Sequence, residues 1–336
     1  MRLEDKVLDG WLPGLQKKEF HPHMNRSRCL IALFAASLLA YFVPQGLAQN
    51  PQDQAELARQ SQSAGGPIVE TNGVSDGHAV ASPNDPDLGV QEILKRQDEY
   101  QPFTIAVGVP FYYTSNVALV NSGEVSDLIV APTVGLFYDP RFTKTFYGHL
   151  GVREQLFYYS DNSGFNFGSF DLEAGVSYFL PQFHNLILRA LFDYNRLTTK
   201  DSFDAFFENF GLLLNAELPF HIGRAQRVAV GVDANLSITG EPDNPRRHDF
   251  DVYVGYGLNI TRAFSVDAVE RIVLREYVLT NRADVSEILA LTANYRFSKW
   301  CSASVIGSLA ANQSNKSVFD YEVGNFGGAA SFNVKF

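Results

Sequence analysis

From Pro102 to the last residue, apolar and polar side chains alternate with a period of two. That period marks β-strands whose two faces meet different surroundings. In the stretch 171–178, Asp171, Glu173, Gly175 and Ser177 share one face, and Leu172, Ala174, Val176 and Tyr178 share the other. In 227–238, Val228, Val230, Val232, Ala234, Leu236 and Ile238 oppose Arg227, Gly231, Asp233, Asn235 and Ser237. The stretch 249–260 repeats the pattern. These runs hold 10–16 residues, against about 5–6 in an ordinary strand. Strands of that length can cross a bilayer at a tilt.

Twelve runs are expected, near 102–115, 127–138, 145–159, 168–180, 186–199, 208–220, 226–239, 248–260, 264–279, 285–297, 300–312 and 323–336. Their connections alternate in length. Short turns fall at 139–142, 181–184, 221–224, 261–263 and 298–299, and longer polar links at 116–126, 160–167, 200–207, 240–247 and 313–322, while the link near 280–284 is shorter than the other long ones. Phe103, Tyr138, Phe146, Tyr178, Phe220, Phe264, Phe297 and Phe336 fall on the apolar face near the short turns. That is the position of an interfacial aromatic girdle. The chain ends Ala330-Ser331-Phe332-Asn333-Val334-Lys335-Phe336, with apolar residues at alternate positions back from the terminal phenylalanine.

Taken together, residues 102–336 resemble the outer-membrane β-barrel proteins of Gram-negative bacteria. The resemblance implies an all-β fold, a transmembrane antiparallel up-and-down barrel of about twelve strands. It also implies that the assembly machinery of such barrels recognises the strand ending in Phe336. It does not identify a subfamily. A secreted soluble β-sandwich is the alternative.

Composition sharpens this picture. Phe and Tyr number 27 and 15 against only 2 Trp, and mean hydropathy is −0.09, which excludes a polytopic helical membrane protein. The net charge of −10 argues against a nucleic-acid partner. Two cysteines cannot form a disulfide scaffold. The N-terminal third differs from the rest. The apolar run 29–43 is too short to span a membrane, which takes about 20 residues. It follows a basic Arg26-Ser27-Arg28 and precedes the small residues Gly46 and Ala48. This is the layout of a signal peptide over 24–48, cleaved after Ala48, with 1–23 an upstream extension. The mature chain then holds 21 basic and 33 acidic residues. Residues 49–101, rich in Gln, Asn, Ser, Pro and Gly, read as a flexible, disordered periplasmic linker, with a short helix possible at 90–100.

The polar face of the strands carries the candidate functional residues. Arg153, Asp171, Glu173, Arg189, Asp193, Glu217, Asp233, Asp251, Arg271, Arg275 and Arg296 are expected to line a lumen. Acids crowd the middle strands and bases the later ones, an arrangement that would set a field across a polar pore. Twelve strands lie between the eight that side chains fill and the 16–18 of open porins. Hence two functions compete: a narrow passive channel for small polar or charged solutes, and a filled barrel with a structural or surface-binding role. A barrel threaded by its linker helix, as in autotransporters, is a third.

Two carboxylates break the alternation. Glu154, next to Arg153, and Glu270, next to Arg271, point toward lipid unless a β-bulge turns them inward or a protein contact covers them. No catalytic group is expected. His149 lacks the serine two residues on that a lipid-cleaving barrel would carry. The stretch 241–251 holds His248 among acids but lacks the second acidic pair of a rim protease. Arg246 and Arg247 could meet lipopolysaccharide phosphates. No metal-ligand spacing and no cofactor motif occurs, and Cys301 reads as a wall residue. The expected partners are outer-membrane lipid and lipopolysaccharide, the assembly machinery through Phe336, and small solutes if the lumen conducts.

Overall fold

The computed structural model describes residues 51–62, 100–199, 203–223 and 225–336. The signal segment 24–48, the extension 1–23 and the helix expected at 90–100, apart from Tyr100, lie outside them. Thirteen strand segments form one antiparallel sheet in which β1 (Phe103–Thr114) pairs with β13 (Tyr321–Lys335), so the sheet closes on itself. Segments β2 (Asp127–Val130) and β3 (Thr133–Tyr138) both lie between β1 and β4 (Phe146–Tyr159). They are two halves of one stave, interrupted at Ala131-Pro132, where proline has no N–H for the ladder. The protein is therefore a barrel of twelve staves.

The remaining staves follow in chain order: β5 (Phe167–Leu180), β6 (Leu186–Thr199), β7 (Ala205–Ile222), β8 (Gln226–Glu241), β9 (Arg247–Asn259), β10 (Phe264–Tyr277), β11 (Ala283–Arg296) and β12 (Cys301–Ser314). Most ends fall within two residues of the expected runs. Each stave pairs with its sequence neighbour, the up-and-down topology that removes every sheet edge. The turn between β5 and β6 shows how local chemistry sets register. A 3-10 turn over Pro181–Phe183 is followed by His184 and Asn185 at φ of 56° and 62°, left-handed positions for which His and Asn are enriched.

The apolar face points out. Leu136, Leu172, Phe192, Val232, Val252, Ile272, Leu291 and Val305 are all exposed there. At the short-turn end, Phe103 stacks on Tyr138 (4.6 Å) and Phe336 (5.6 Å), and Phe146 meets Tyr178 edge-on (6.3 Å). The main-chain bonds Phe103 N–H to Phe336 O and Phe336 N–H to Phe103 O, both 3.0 Å, seal the closing pair. Cys301 pairs with outward Phe332 and carries a free thiol on the wall.

The ladder also settles the two misplaced carboxylates. Register shifts occur at Leu197/Thr198 and Phe210/Gly211. Pairing through Arg153-Glu154 and Glu270-Arg271 is continuous. The expected bulge is absent at both places, and Glu154 and Glu270 stay on the outer face. Glu287, diagonal to Glu270 across the β10–β11 ladder, shares that face.

The linker expectation also changes. Residues Pro51–Gln62 form a helix, α1, with Pro51 at its start and Asp53 in its first turn, both favourable at a helix N-terminus. Ala55 is 0% and Leu57 5% exposed. At 100° per residue they lie about 200° apart on the helix, so burying both requires walls on opposite sides. The barrel supplies them. Ala55 packs with Ile129, Phe157, Tyr159, Phe167, Leu197 and Phe207 from β2 and β4–β7. Leu57 packs with Val273, Ile288, Ala310, Tyr321 and Val323 from β10–β13. The helix sits inside the lumen at the long-loop end.

Candidate functional site

The lumen has two kinds of polar structure. The first is built into the wall. Arg271 on β10 reaches Asp233 on β8 (3.1 Å) and Asp251 on β9 (2.5 Å), with its guanidinium over the Tyr253 ring (4.8 Å). The Tyr253 hydroxyl donates to Glu217 (2.7 Å), and Asn215 donates to that hydroxyl (3.2 Å) and to Asp233. Arg189 closes the arc through Asn215 (2.6 Å) and Glu217 (3.7 Å). Gly231 makes this possible, because a Cβ there would lie 2.2 Å from the Tyr253 ring. Nearer the short turns, Arg227 pairs with Asp267 (2.9 Å). His149 bridges Asp139 (2.6 Å) and Glu173 (3.2 Å), and Arg153 approaches Glu173 (3.5 Å). Asn195 donates to Asp171 (2.6 Å).

These contacts join staves at most two apart, so they run along the wall rather than across the lumen. They also revise the expected charge separation. Arg271 and Arg227 neutralise acids on neighbouring staves, so the two blocks do not face each other as bare fields. Asp193 packs against Gly211 on the inner face, where a Cβ would lie 2.5 Å from its carboxylate. Arg296 stands apart from the rest. It is exposed at the short-turn rim and donates to the carbonyl of Arg262, so it marks an opening rather than the lumen.

The second structure spans the lumen. The link after β1 folds inward, and Asn116, Val117, Ala118, Leu119 and Val120 are all buried. Asn116 fixes the fold: its amide donates to the carbonyls of Val120 (2.6 Å) and Glu322 (2.9 Å), and its oxygen accepts from Val120 N–H (3.1 Å). Against this loop lies α1. Gln54 donates to the Val117 carbonyl and accepts from the Tyr159 hydroxyl (2.6 Å). On the opposite wall Arg247, 1% exposed at its side chain, donates to Asp53, to Glu56 (2.7 Å) and to Asp249 (2.9 Å). Burial opposes ionisation of Asp53. Arg247, with Arg275 and Arg282 behind it, outweighs that and holds the carboxyl below its ordinary value.

Arg275 points into this mouth. It is 1% exposed. One nitrogen donates to Ser286 and Asn312; among the described residues Nε and Nη2 make no further hydrogen bond of good geometry, and the Tyr321 hydroxyl, itself unsatisfied, lies beside the guanidinium. Arg282 forms a fork with Asp284 (3.0 Å) and lies over the rings of Tyr277 and Phe319. Beside them opens a cavity of about 370 Å³, lined by Asp53, Tyr277, Arg282, Lys316 and Tyr321 among others. Arg247 is thus turned inward and buried, so of the two arginines expected to meet lipopolysaccharide phosphates it is not available to them, whereas Arg246 stays near the surface and pairs with Asp243 (3.0 Å). His248 accepts a backbone N–H from Ser237 (3.2 Å).

Sequence reasoning placed Arg275 on the inner face but missed Asp53, Glu56 and Val117–Val120. The one available signal was the unbroken apolar run Val117-Ala118-Leu119-Val120 inside a polar link. Asp53 and Glu56 sit in a stretch whose composition gives no sign of a buried helix.

No family model matches the chain, and no curated protein matches it in sequence. Among solved structures, the COG4313 outer membrane channel from Pseudomonas putida F1 is similar with a TM-score of 0.51 at 13% identity, over 70% of this chain and 98% of that one. The translocator domain of the autotransporter NalP from Neisseria meningitidis gives 0.42 at 12%, over 71% and 90%. The KdgM porin gives 0.38 at 7%, over 68% and 98%. The fold is that of the outer-membrane β-barrels.

Proposed function

We propose that the protein is a passive, non-catalytic outer-membrane channel for small polar or charged solutes, held shut in this structure by α1 and the inward loop 115–126. The observation that supports it is the division of labour in the lumen. Wall ion pairs keep to the wall, and a helix that is not part of any stave lies across the lumen, with Ala55 packed on one side and Leu57 on the other. A barrel meant only to be filled can use its own inward side chains, as eight-stranded barrels do. Here the outer mouth is closed by a segment that enters from outside the sheet and is fixed through polar contacts to Arg247 and Tyr159. In this reading the long-loop end faces the cell exterior, and lipid covers the outer wall. The strand ending in Phe336 is what the assembly machinery recognises.

Planar-bilayer conductance tests this. The full chain is compared with a chain whose residues 51–62 are replaced by a Gly/Ser segment of the same length. The channel reading expects rare openings from the first and sustained conductance from the second. Silence from both, with each showing the heat-dependent gel shift of a folded barrel, overturns it. A second reading, a filled structural barrel, draws on the continuous arc from Arg189 to Arg271, and silence from both chains would favour it.

A further inference from the structure

The stopper is held by chemistry that a solute can copy. Arg247 meets two carboxylates of α1, three residues apart, as well as Asp249 of its own stave. Arg282 is matched by Asp284. Arg275 has no carboxylate at ion-pair distance among the described residues, and two of its guanidinium nitrogens make no hydrogen bond of good geometry there although the side chain is buried. In the wall alone, three guanidinium groups face two carboxylates, leaving one positive charge. The helix adds Asp53 and Glu56 and turns that balance negative. A buried arginine with unmade bonds is costly to keep. It is also a donor set already desolvated and oriented for a planar anion. The cavity of about 370 Å³ opens at the long loops beside Lys316 and Asn244, which are exposed, and Arg282 lines it directly; Arg247 and Arg275 adjoin it through Asp53 and Tyr321, two of its lining residues. Its volume falls in the range of small-ligand sites.

We propose that Arg247, Arg275 and Arg282 form a binding site for a small solute carrying two carboxylates, and that Asp53 and Glu56 of α1 occupy it as a built-in competitor. The solute enters through the cavity beside Lys316, engages those two nitrogens of Arg275, and then takes Arg247 from α1. Solute and helix compete for one guanidinium, so binding weakens the stopper and a loosened stopper strengthens binding. The role in opening rests on the channel reading; the binding site itself does not.

The test is calorimetric titration of the full chain in detergent with succinate, and with acetate at equal ionic strength as the single-carboxylate control. Native protein should bind succinate weakly. The Asp53→Asn/Glu56→Gln variant should bind it more tightly by about tenfold, in the range of ordinary coupling between sites. Acetate should gain far less. Adding Arg275→Met to that variant should abolish the gain. If Arg275→Met fails to fold, Lys316→Glu, a change at an exposed position, should weaken succinate binding instead. No tightening on removal of the two acids, or equal tightening for acetate, overturns the proposal. Bilayer conductance of the same variants separates the two inferences. Succinate binding in a barrel that never conducts removes the channel and leaves the site. Conductance without succinate binding removes the site and leaves the channel.

Discussion

Two arginines in this barrel do the same chemistry with opposite consequences. Arg271, at mid-height, holds Asp233 and Asp251. Arg247, at the long-loop mouth, holds Asp53 and Glu56. Each is a largely buried cation that joins acids of other elements, and Arg247 also meets Asp249 of its own stave. In the first case the acids belong to neighbouring staves, already fixed by the backbone ladder, so the ion pairs stiffen a wall. In the second they belong to a helix outside the ladder. The same bonds then set how firmly a separate element stays in the lumen. Whether a buried ion pair acts as a brace or a latch depends on the covalent context of the partners, not on the pair itself.

The largest expected effect separates these cases directly. Arg271→Gln strands Asp233 and Asp251 inside the wall, at roughly 3–5 kcal/mol, since neither acid can leave. Arg247→Gln strands only Asp249, because α1 can withdraw and carry its acids into water, so about 1–3 kcal/mol is expected. Urea unfolding of the two variants in lipid vesicles should show the larger drop for Arg271→Gln. Equal losses would mean that α1 is as much a part of the barrel as any stave.

Gly231→Ala probes the wall arc without touching a charge. The new methyl must displace the Tyr253 ring, which is held between Glu217 and Arg271. Overpacking of this kind costs about 1–3 kcal/mol. Stability should fall while the closed state persists in bilayer recordings. More frequent opening in Gly231→Ala would show that wall and stopper are coupled.

Asn116→Ala does the reverse. It removes the three hydrogen bonds that fold loop 115–126 inward. About 1 kcal/mol per bond is at stake, but the loss falls on the loop. Openings should increase with little change in the urea midpoint. A midpoint shift matching that of Gly231→Ala would refute a separable loop.

The smallest effect is a pH response of the latch. The carboxyl of Asp53 is held below its ordinary value by Arg247, against the opposing effect of burial. A depressed folded-state pKa gives stabilisation that is complete above the ordinary carboxylate range and lost as pH falls through the folded value. Conductance should therefore stay low from neutral pH down to about 4, the ordinary aspartate value, and rise only below it. Asp53→Asn should remove the rise. A rise between pH 5 and 7 would assign the response to another group.

The chain itself announced the barrel. A period of two sustained over twelve runs, alternating short and long links and aromatic residues gathered at one end are each repeated many times, and the terminal phenylalanine agrees with them. A repeated local signal survives errors at single positions. The inward placement of Asp171, Glu217, Asp233, Asp251 and Arg271 followed from parity alone, because strand geometry fixes which face each residue takes. Parity also placed Glu154 and Glu270 outward, and the suspected bulges proved unnecessary.

What parity could not supply was partnership and what occupies the interior. Which acid Arg271 meets depends on barrel closure and stagger, and Arg271 reaches past β9 to β8. Residues 51–62 carry too few apolar side chains to form a stable helix alone, and short isolated helices are marginal in water. They become a buried helix only because a closed sheet offers walls to Ala55 and Leu57 at once, with a cation waiting for Asp53 and Glu56. The strands are a local property of their own residues, set by alternation. The stopper is a property of the finished cavity, and it exists only once twelve staves have closed around it.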